Sequence, residues 1–142
     1  MFRVFLCQNI SNLTANDKLM NLIIQILTGL VAVFHIYVLY LEMFAWTTRG
    51  VKVFGSKAFP TELFPKTKTL AANQGLYNGF LAAGLIWSLL IHNPEWSKNV
   101  GIFFLSCVAV AGLYGGLTAS RKILIVQAMP ALITLILLVF FK

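Results

Sequence analysis

Four apolar runs of about 20 residues divide this chain, and each is long enough to cross the roughly 30 Å hydrocarbon core of a bilayer as a helix. They are expected at about residues 21–46, 70–92, 100–119 and 123–141. The chain is 59% hydrophobic and 11% charged, whereas a soluble domain carries roughly 25% charged residues. We therefore predict an all-α, polytopic membrane protein whose spans form an antiparallel four-helix transmembrane bundle, with one domain over residues 21–142.

Basic residues are concentrated in two of the connections. Residues 47–69 form a long basic loop after the first run, and residues 120–122 form a tight basic turn after the third. Their basic residues are Arg49, Lys52, Lys57, Lys66, Lys68, Arg121 and Lys122. Because cytoplasmic loops are enriched in Lys and Arg, the two basic connections are predicted to face the cytoplasm and both termini to lie on the outer side of the membrane. The long loop is either a lid over a polar site or an ordered loop that only sets topology.

Two other features bear on organisation and partners. Residues 1–20 are expected to be a short polar extension before the first span. The basic residues lie between apolar runs, where topology and contact with lipid headgroups account for them. Membrane lipids are thus expected partners and nucleic acid is not, while glycine rows in the spans predict a homo-oligomer.

The run from Thr69 to His92 is unusual because amide side chains crowd its first third. Amides inside a membrane span are costly unless they have partners, so they usually face a bundle interior or a wet cavity. At about 1.5 Å per residue, polar groups of all four runs fall at a similar depth in the cytoplasmic half. The predicted ligand-binding residues are Glu42, His35, Asn73, Gln74, Tyr77, Asn78, Tyr114 and Gln127.

Glu42 is the most informative of these residues. A carboxylate inside a membrane marks a proton, cation or substrate site by default, although it can also serve only to join helices. His35 lies on the same helical stripe, but a metal or haem site would need further His, Cys or carboxylate ligands. His92 is expected near the opposite interface, so neither a metal nor a cofactor is predicted.

Several motifs resemble an uncharacterised bacterial family of small four-span membrane proteins, a domain of unknown function. They are HIYVLYLEMFAW, NQGLYNGFLAAGLIW, VAVAGLYGGLT and VQAMPALITL, one in each span. The resemblance implies the fold and a location in the bacterial cytoplasmic (inner) membrane, and it brings no established activity. A weaker similarity in layout is to the MAPEG superfamily of membrane enzymes, in which a polar motif opens the second span. Asn73, Gln74 and Asn78 lie where that motif would, and residues 69–78 lack its Arg and its acidic residue.

These observations leave three functions open, and whether the protein is an enzyme is undecided. The first is binding or translocation of a small amphipathic or cationic molecule in a polar intramembrane pocket around Glu42. The second is a MAPEG-like enzyme acting on a lipophilic substrate, with Tyr77 or Tyr114 as the polarising hydroxyl. The third is a structural or accessory membrane subunit whose polar residues only join helices.

Overall fold

The computed structural model describes residues 2–56 and 59–141, with side chains from residue 15 onward. Its α-helices are α1 (Phe2–Met43), α2 (Val51–Phe54), α3 (Lys68–Leu90), α4 (Pro94–Thr118), α5 (Arg121–Ile123) and α6 (Met129–Phe141). Residues Trp46–Gly50 and Leu124–Ala128 form π-helical turns, and Thr61–Leu63 form a 3-10 turn. The described residues contain no strand, which confirms the predicted all-α class.

Within the described side chains, three stretches of helix are long and apolar enough to cross a membrane: Ala15–Met43, Pro94–Thr118 and Arg121–Phe141. The sequence predicted four. The remaining long helix, α3, contains Asn73, Gln74 and Asn78, and these amides lower its mean hydropathy. With 23 residues and a rise of about 1.5 Å per residue, its length is still close to that of a bilayer core.

A narrow apolar core lies where the four long helices meet. It contains Ile24 and Val31 from α1, Leu85 from α3, Leu105 from α4 and Leu138 from α6, all nearly free of solvent exposure. Large apolar side chains also cover the outside, where Leu30, Phe80, Leu117 and Phe140 are each more than half exposed. Contiguous apolar surface of this kind marks a surface that contacts lipid or another protein.

Local capping explains where α4 begins. The sequence predicted a turn over residues 92–96 and a span from about residue 100, whereas the helix starts at Pro94. The side chain of Asn93 accepts a hydrogen bond from the Trp96 backbone N–H at 3.0 Å, and proline at the first helical position needs no N–H partner. Glu95 adds a favourable negative charge to the first turn.

The connection between α1 and α3 is organised around one aromatic ring. The ring centroid of Trp46 lies 4.6 Å from that of Phe64 and 5.6 Å from that of Phe54, and Phe64 is fully buried. The indole Nε1–H of Trp46 donates to Thr67 Oγ1 at 3.1 Å, which ties the start of the loop to its end. The described part of the loop is thus an ordered structure, while Lys57 lies outside the described residues.

Parts of both chain ends lie outside the residues whose side chains the structure describes. The proposed polar extension, residues 1–20, falls largely outside the residues whose side chains are described, and it stays a prediction. Lys142 likewise lies outside the described residues. The carbonyl of Val139, near the end of α6, accepts a hydrogen bond from Lys98 Nζ at 3.3 Å. This bond satisfies one of the carbonyls that a helix end leaves without an intrahelical partner.

Candidate functional site

Glu42 and Asn78 meet at the contact between α1 and α3. The Nδ2–H of Asn78 donates to Glu42 Oε2 at 2.8 Å, and the same amide donates to the Gln74 carbonyl at 3.1 Å. Both side chains are half-buried. Asn78 is the only hydrogen-bond partner of the Glu42 carboxylate within the described side chains, and no described Lys or Arg pairs with it.

Glycines bring the two helices close enough for this bond. A methyl group at Gly75 would lie 3.2 Å from Glu42 Cβ and 3.1 Å from the Met43 nitrogen, and one at Gly79 would lie against Leu39. Two glycines of the second predicted span, Gly75 and Gly79, therefore face α1. Because residues three and four apart share a helix face, Asn78 lies beside Gly75 on this face and reaches the carboxylate.

The other predicted site residues of α3, and Tyr114 of α4, are exposed. Asn73 and Gln74 present their side chains outward, and only the backbone of Gln74 joins the network around Asn78. The side chains of Tyr77 and Tyr114 are 60% and 71% exposed, and the ring of Tyr77 packs edge-on against Phe80. These four residues are predicted site residues that the structure does not join to Glu42.

His35 lies two turns before Glu42 in α1, about 10 Å away along the helix axis. Its side chain is fully buried, and its Nδ1 lies 2.8 Å from the Val31 carbonyl oxygen. Its ring packs edge-on against Phe34, with centroids 5.5 Å apart. The other ring nitrogen, Nε2, is buried and has no hydrogen-bond partner among the described side chains.

Gln127 belongs to the surroundings of His35 and not to those of Glu42. Its Nε2–H donates to the Val108 carbonyl of α4 at 3.5 Å, and it lines a cavity together with His35. Gln127 lies in the π-helical turn Leu124–Ala128, which ends two residues before Pro130. Four of the eight predicted residues thus form two separate pairs, Glu42 with Asn78 and His35 with Gln127. The other four are exposed and belong to neither pair.

Sequence patterns do not reveal the apolar wall around His35 and Gln127. That wall includes Leu27, Leu30 and Phe34 of α1, which pattern alone assigns to a lipid-facing surface. The one available signal was Pro130, because proline removes a backbone donor and disturbs the preceding turn. Within the described residues, no three His, Cys, Asp or Glu side chains are grouped so that they could hold a metal ion.

Comparisons with known proteins agree with the resemblance noted in the sequence. Residues 29–139 match the family described as "Protein of unknown function (DUF1304)". The chain is 34% identical over 118 residues to the uncharacterized protein YpaA of Lactococcus lactis, an alignment that covers 82% of this chain and 97% of that protein. No solved structure matches, and the similarity to the MAPEG superfamily stays unconfirmed. The match over most of its length shows that the chain belongs to the DUF1304 family, an uncharacterised bacterial family.

Proposed function

We propose that this protein is a four-span integral membrane protein that binds a small amphipathic cation at the Glu42 carboxylate. The observation that carries the proposal is the incomplete pairing of this group. A carboxylate in a membrane helix is costly and normally faces a partner of opposite charge or a substrate path. Glu42 has one neutral amide partner, Asn78, and no described cationic one. A cationic ligand would supply the missing charge.

The position of the carboxylate also suits an amphipathic ligand. Glu42 lies one residue before the end of α1, next to the aromatic connection that starts at Trp46 and close to a helix end. A ligand there can leave its apolar part among exposed side chains while its charge reaches the carboxylate. Its affinity would come from charge attraction in surroundings less polar than water, where such attraction is stronger.

A fourth span is part of the same proposal, and its support is the length of the α1–α3 contact. Glu42 lies against Gly75 at one end, and the Leu89 side chain approaches Gly29 at the other. A helix that accompanies a spanning helix over this distance has to cross the same apolar layer. The bond between Asn78 and Glu42 meets part of the cost of placing amides there.

Binding of tetraphenylphosphonium, a lipophilic cation, to protein reconstituted in nanodiscs tests this function. We expect saturable binding that is weakened at least about tenfold by Glu42→Gln, because the substitution removes the charge and keeps the shape and a hydrogen-bond acceptor. Glu62→Gln is the matched control, because Glu62 is an exposed carboxylate of the connection that follows α1. This control should bind like the wild type.

Equal binding by the wild type and Glu42→Gln, or no saturable binding by either, would contradict the proposal. Native mass spectrometry of protein gently extracted from its own membrane gives an independent reading. A co-purifying molecule that is present in the wild type and lost in Glu42→Ala would identify the ligand class. An unchanged protein with no adduct in either sample would favour the accessory-subunit alternative.

A further inference from the structure

The cavity that His35 and Gln127 line has a volume of about 210 Å³ and lies between α1 and the final helical segment of the chain, apart from the Glu42–Asn78 pair. Six apolar residues form most of its wall: Leu27, Leu30, Val31, Phe34, Val126 and Pro130. His35 and Gln127 are the two polar residues that complete it. An engineered apolar cavity of about 150 Å³ is sufficient for benzene, so this one has room for a molecule with a single ring.

The backbone near Pro130 creates this space. Proline cannot donate the hydrogen bond that residue 126 would accept in a regular helix, and its ring would crowd that carbonyl. The chain adopts the wider π-helical turn Leu124–Ala128 instead, and the backbone N–H of Met129 donates to the Leu124 carbonyl. Such single π turns inside helices occur frequently at functional sites.

His35 defines what kind of guest the cavity accepts. A carbonyl oxygen can only accept a hydrogen bond, so the contact with Val31 places a hydrogen on Nδ1. A fully buried imidazole in apolar surroundings is stable as the neutral form, in which Nε2 is an acceptor. Nε2 is buried and has no donor among the described residues, although buried polar atoms are almost always paired. The missing partner is therefore a hydrogen-bond donor.

Nε2 is buried even from the cavity in this conformation, so a ligand hydroxyl reaches it only after a side chain of the wall moves. Gln127 is the wall side chain that can move to admit such a donor. Its hydrogen bond to the Val108 carbonyl is 3.5 Å long, well beyond the usual 2.9–3.0 Å for this type of bond. A small displacement of this side chain gives up little energy. The side-chain amide of Gln127 offers both an acceptor oxygen and donor hydrogens, so a hydroxyl that donates to His35 can also pair with Gln127.

The entrance to the cavity faces the apolar surroundings of the protein. Leu30 and Val126, on the two sides of the cavity, are 61% and 49% exposed on the outer surface of the helices. A water molecule that donates to His35 and Gln127 would fill only a small part of the roughly 210 Å³, because one water occupies about 30 Å³. A guest that enters from this side has to be mostly apolar.

We propose that this cavity binds a compact apolar molecule, such as a monocyclic phenol or another lipophilic alcohol, whose hydroxyl donates to His35 Nε2. The hydroxyl satisfies the unpaired imidazole, the ring or short chain fills the space left by the π-helical turn, and the remainder of the molecule extends past Leu30 and Val126. This site is independent of the cation site at Glu42. Glu42→Gln should leave its binding unchanged.

Photolabelling of the full chain in lipid vesicles tests the proposal directly. The probe is a diazirine derivative of para-hexylphenol, and its attachment points are identified by mass spectrometry of peptides. We expect saturable labelling within residues 27–35 and 126–130. Unlabelled para-hexylphenol should compete at roughly tenfold lower concentration than para-hexylanisole, its methyl ether, since the ether lacks the donor and one hydrogen bond is worth about a factor of ten.

Variants distinguish a hydrogen bond between the phenol and His35 from non-specific uptake of the phenol into an apolar cavity. His35→Phe should abolish the preference for the phenol over the ether, whereas His92→Phe, which changes an exposed histidine, should keep it. Equal competition by phenol and ether in the wild type would overturn the proposal, and this comparison does not depend on the folding of any variant. Labelling spread evenly over the exposed apolar surface would overturn it as well.

Discussion

The hydrogen bond between Asn78 and Glu42 joins two helices through a carboxylate that has no other described partner. At the residue scale, removing one of these two side chains should therefore cost more stability than removing both. Removing the amide leaves a half-buried charged acceptor without a donor, whereas removing both groups leaves an apolar contact. Unpaired buried polar groups are costly, and replacement of both partners by apolar groups can be nearly neutral.

Asn78→Leu should therefore lower the free energy of unfolding by about 1–2 kcal/mol. The double variant Glu42→Leu/Asn78→Leu should recover most of that loss. Asn73→Leu is the matched control because Asn73 is an exposed amide of the same helix, and we expect a change within about 0.5 kcal/mol. Reversible unfolding in mixed detergent micelles measures all three. Equal losses for Asn78→Leu and Asn73→Leu would mean that the bond contributes nothing to stability.

At the scale of elements, α4 and the π-helical turn Leu124–Ala128 approach each other closely. A methyl group at Gly112 would lie 2.7 Å from the Ala128 nitrogen and 2.9 Å from its Cα, so it would meet backbone that cannot rotate away. At Gly115, one turn later, the nearest atoms are terminal carbons of the Ile123 side chain at 3.4 Å. The same substitution at the two positions therefore has different consequences.

Gly112→Ala should push α4 away from the π-helical turn and lower the free energy of unfolding by about 1–3 kcal/mol, as overpacking usually does. Gly115→Ala should be tolerated, because Ile123 can adjust and alanine favours helix. The measurement is the same unfolding titration, with helix content followed by circular dichroism. A similar effect of both substitutions would show that α4 and the turn are not held in close contact.

The same elements show how far sequence reasoning extends. The expected spans 70–92 and 123–141 lie close to the helices Lys68–Leu90 and Arg121–Phe141, because apolar runs and their breakers are local features. The division of the polar residues between two sites does not follow from local sequence. Glu42 and His35 are seven residues apart on one stripe of α1, so the sequence suggested one shared pocket. Whether each residue faces α3 or the last helix depends on how the helices rotate against each other and on the turn before Pro130, and residue depth alone does not determine either.

At the scale of the whole molecule, the charge distribution predicts which side of the membrane the Glu42 site faces. The α1–α3 connection, the first residue of α3 and the short helix α5 carry six basic residues: Arg49, Lys52, Lys66, Lys68, Arg121 and Lys122. Glu42 is close to this basic end of the molecule. If cytoplasmic loops retain their basic residues here as they generally do, the cation site opens toward the cytoplasm.

Single-cysteine labelling in an expression host tests both this orientation and the fourth span. With Cys7 and Cys107 replaced by serine, Glu62→Cys marks the connection before α3 and Glu95→Cys marks the start of α4; both positions are exposed glutamates. A membrane-impermeant maleimide should label Glu95→Cys in spheroplasts and Glu62→Cys only after the membrane is opened. The reversed pattern would invert the orientation and place the Glu42 site on the outer side. Labelling of both positions from the same side would show that α3 does not cross the membrane, since these two residues flank that helix alone.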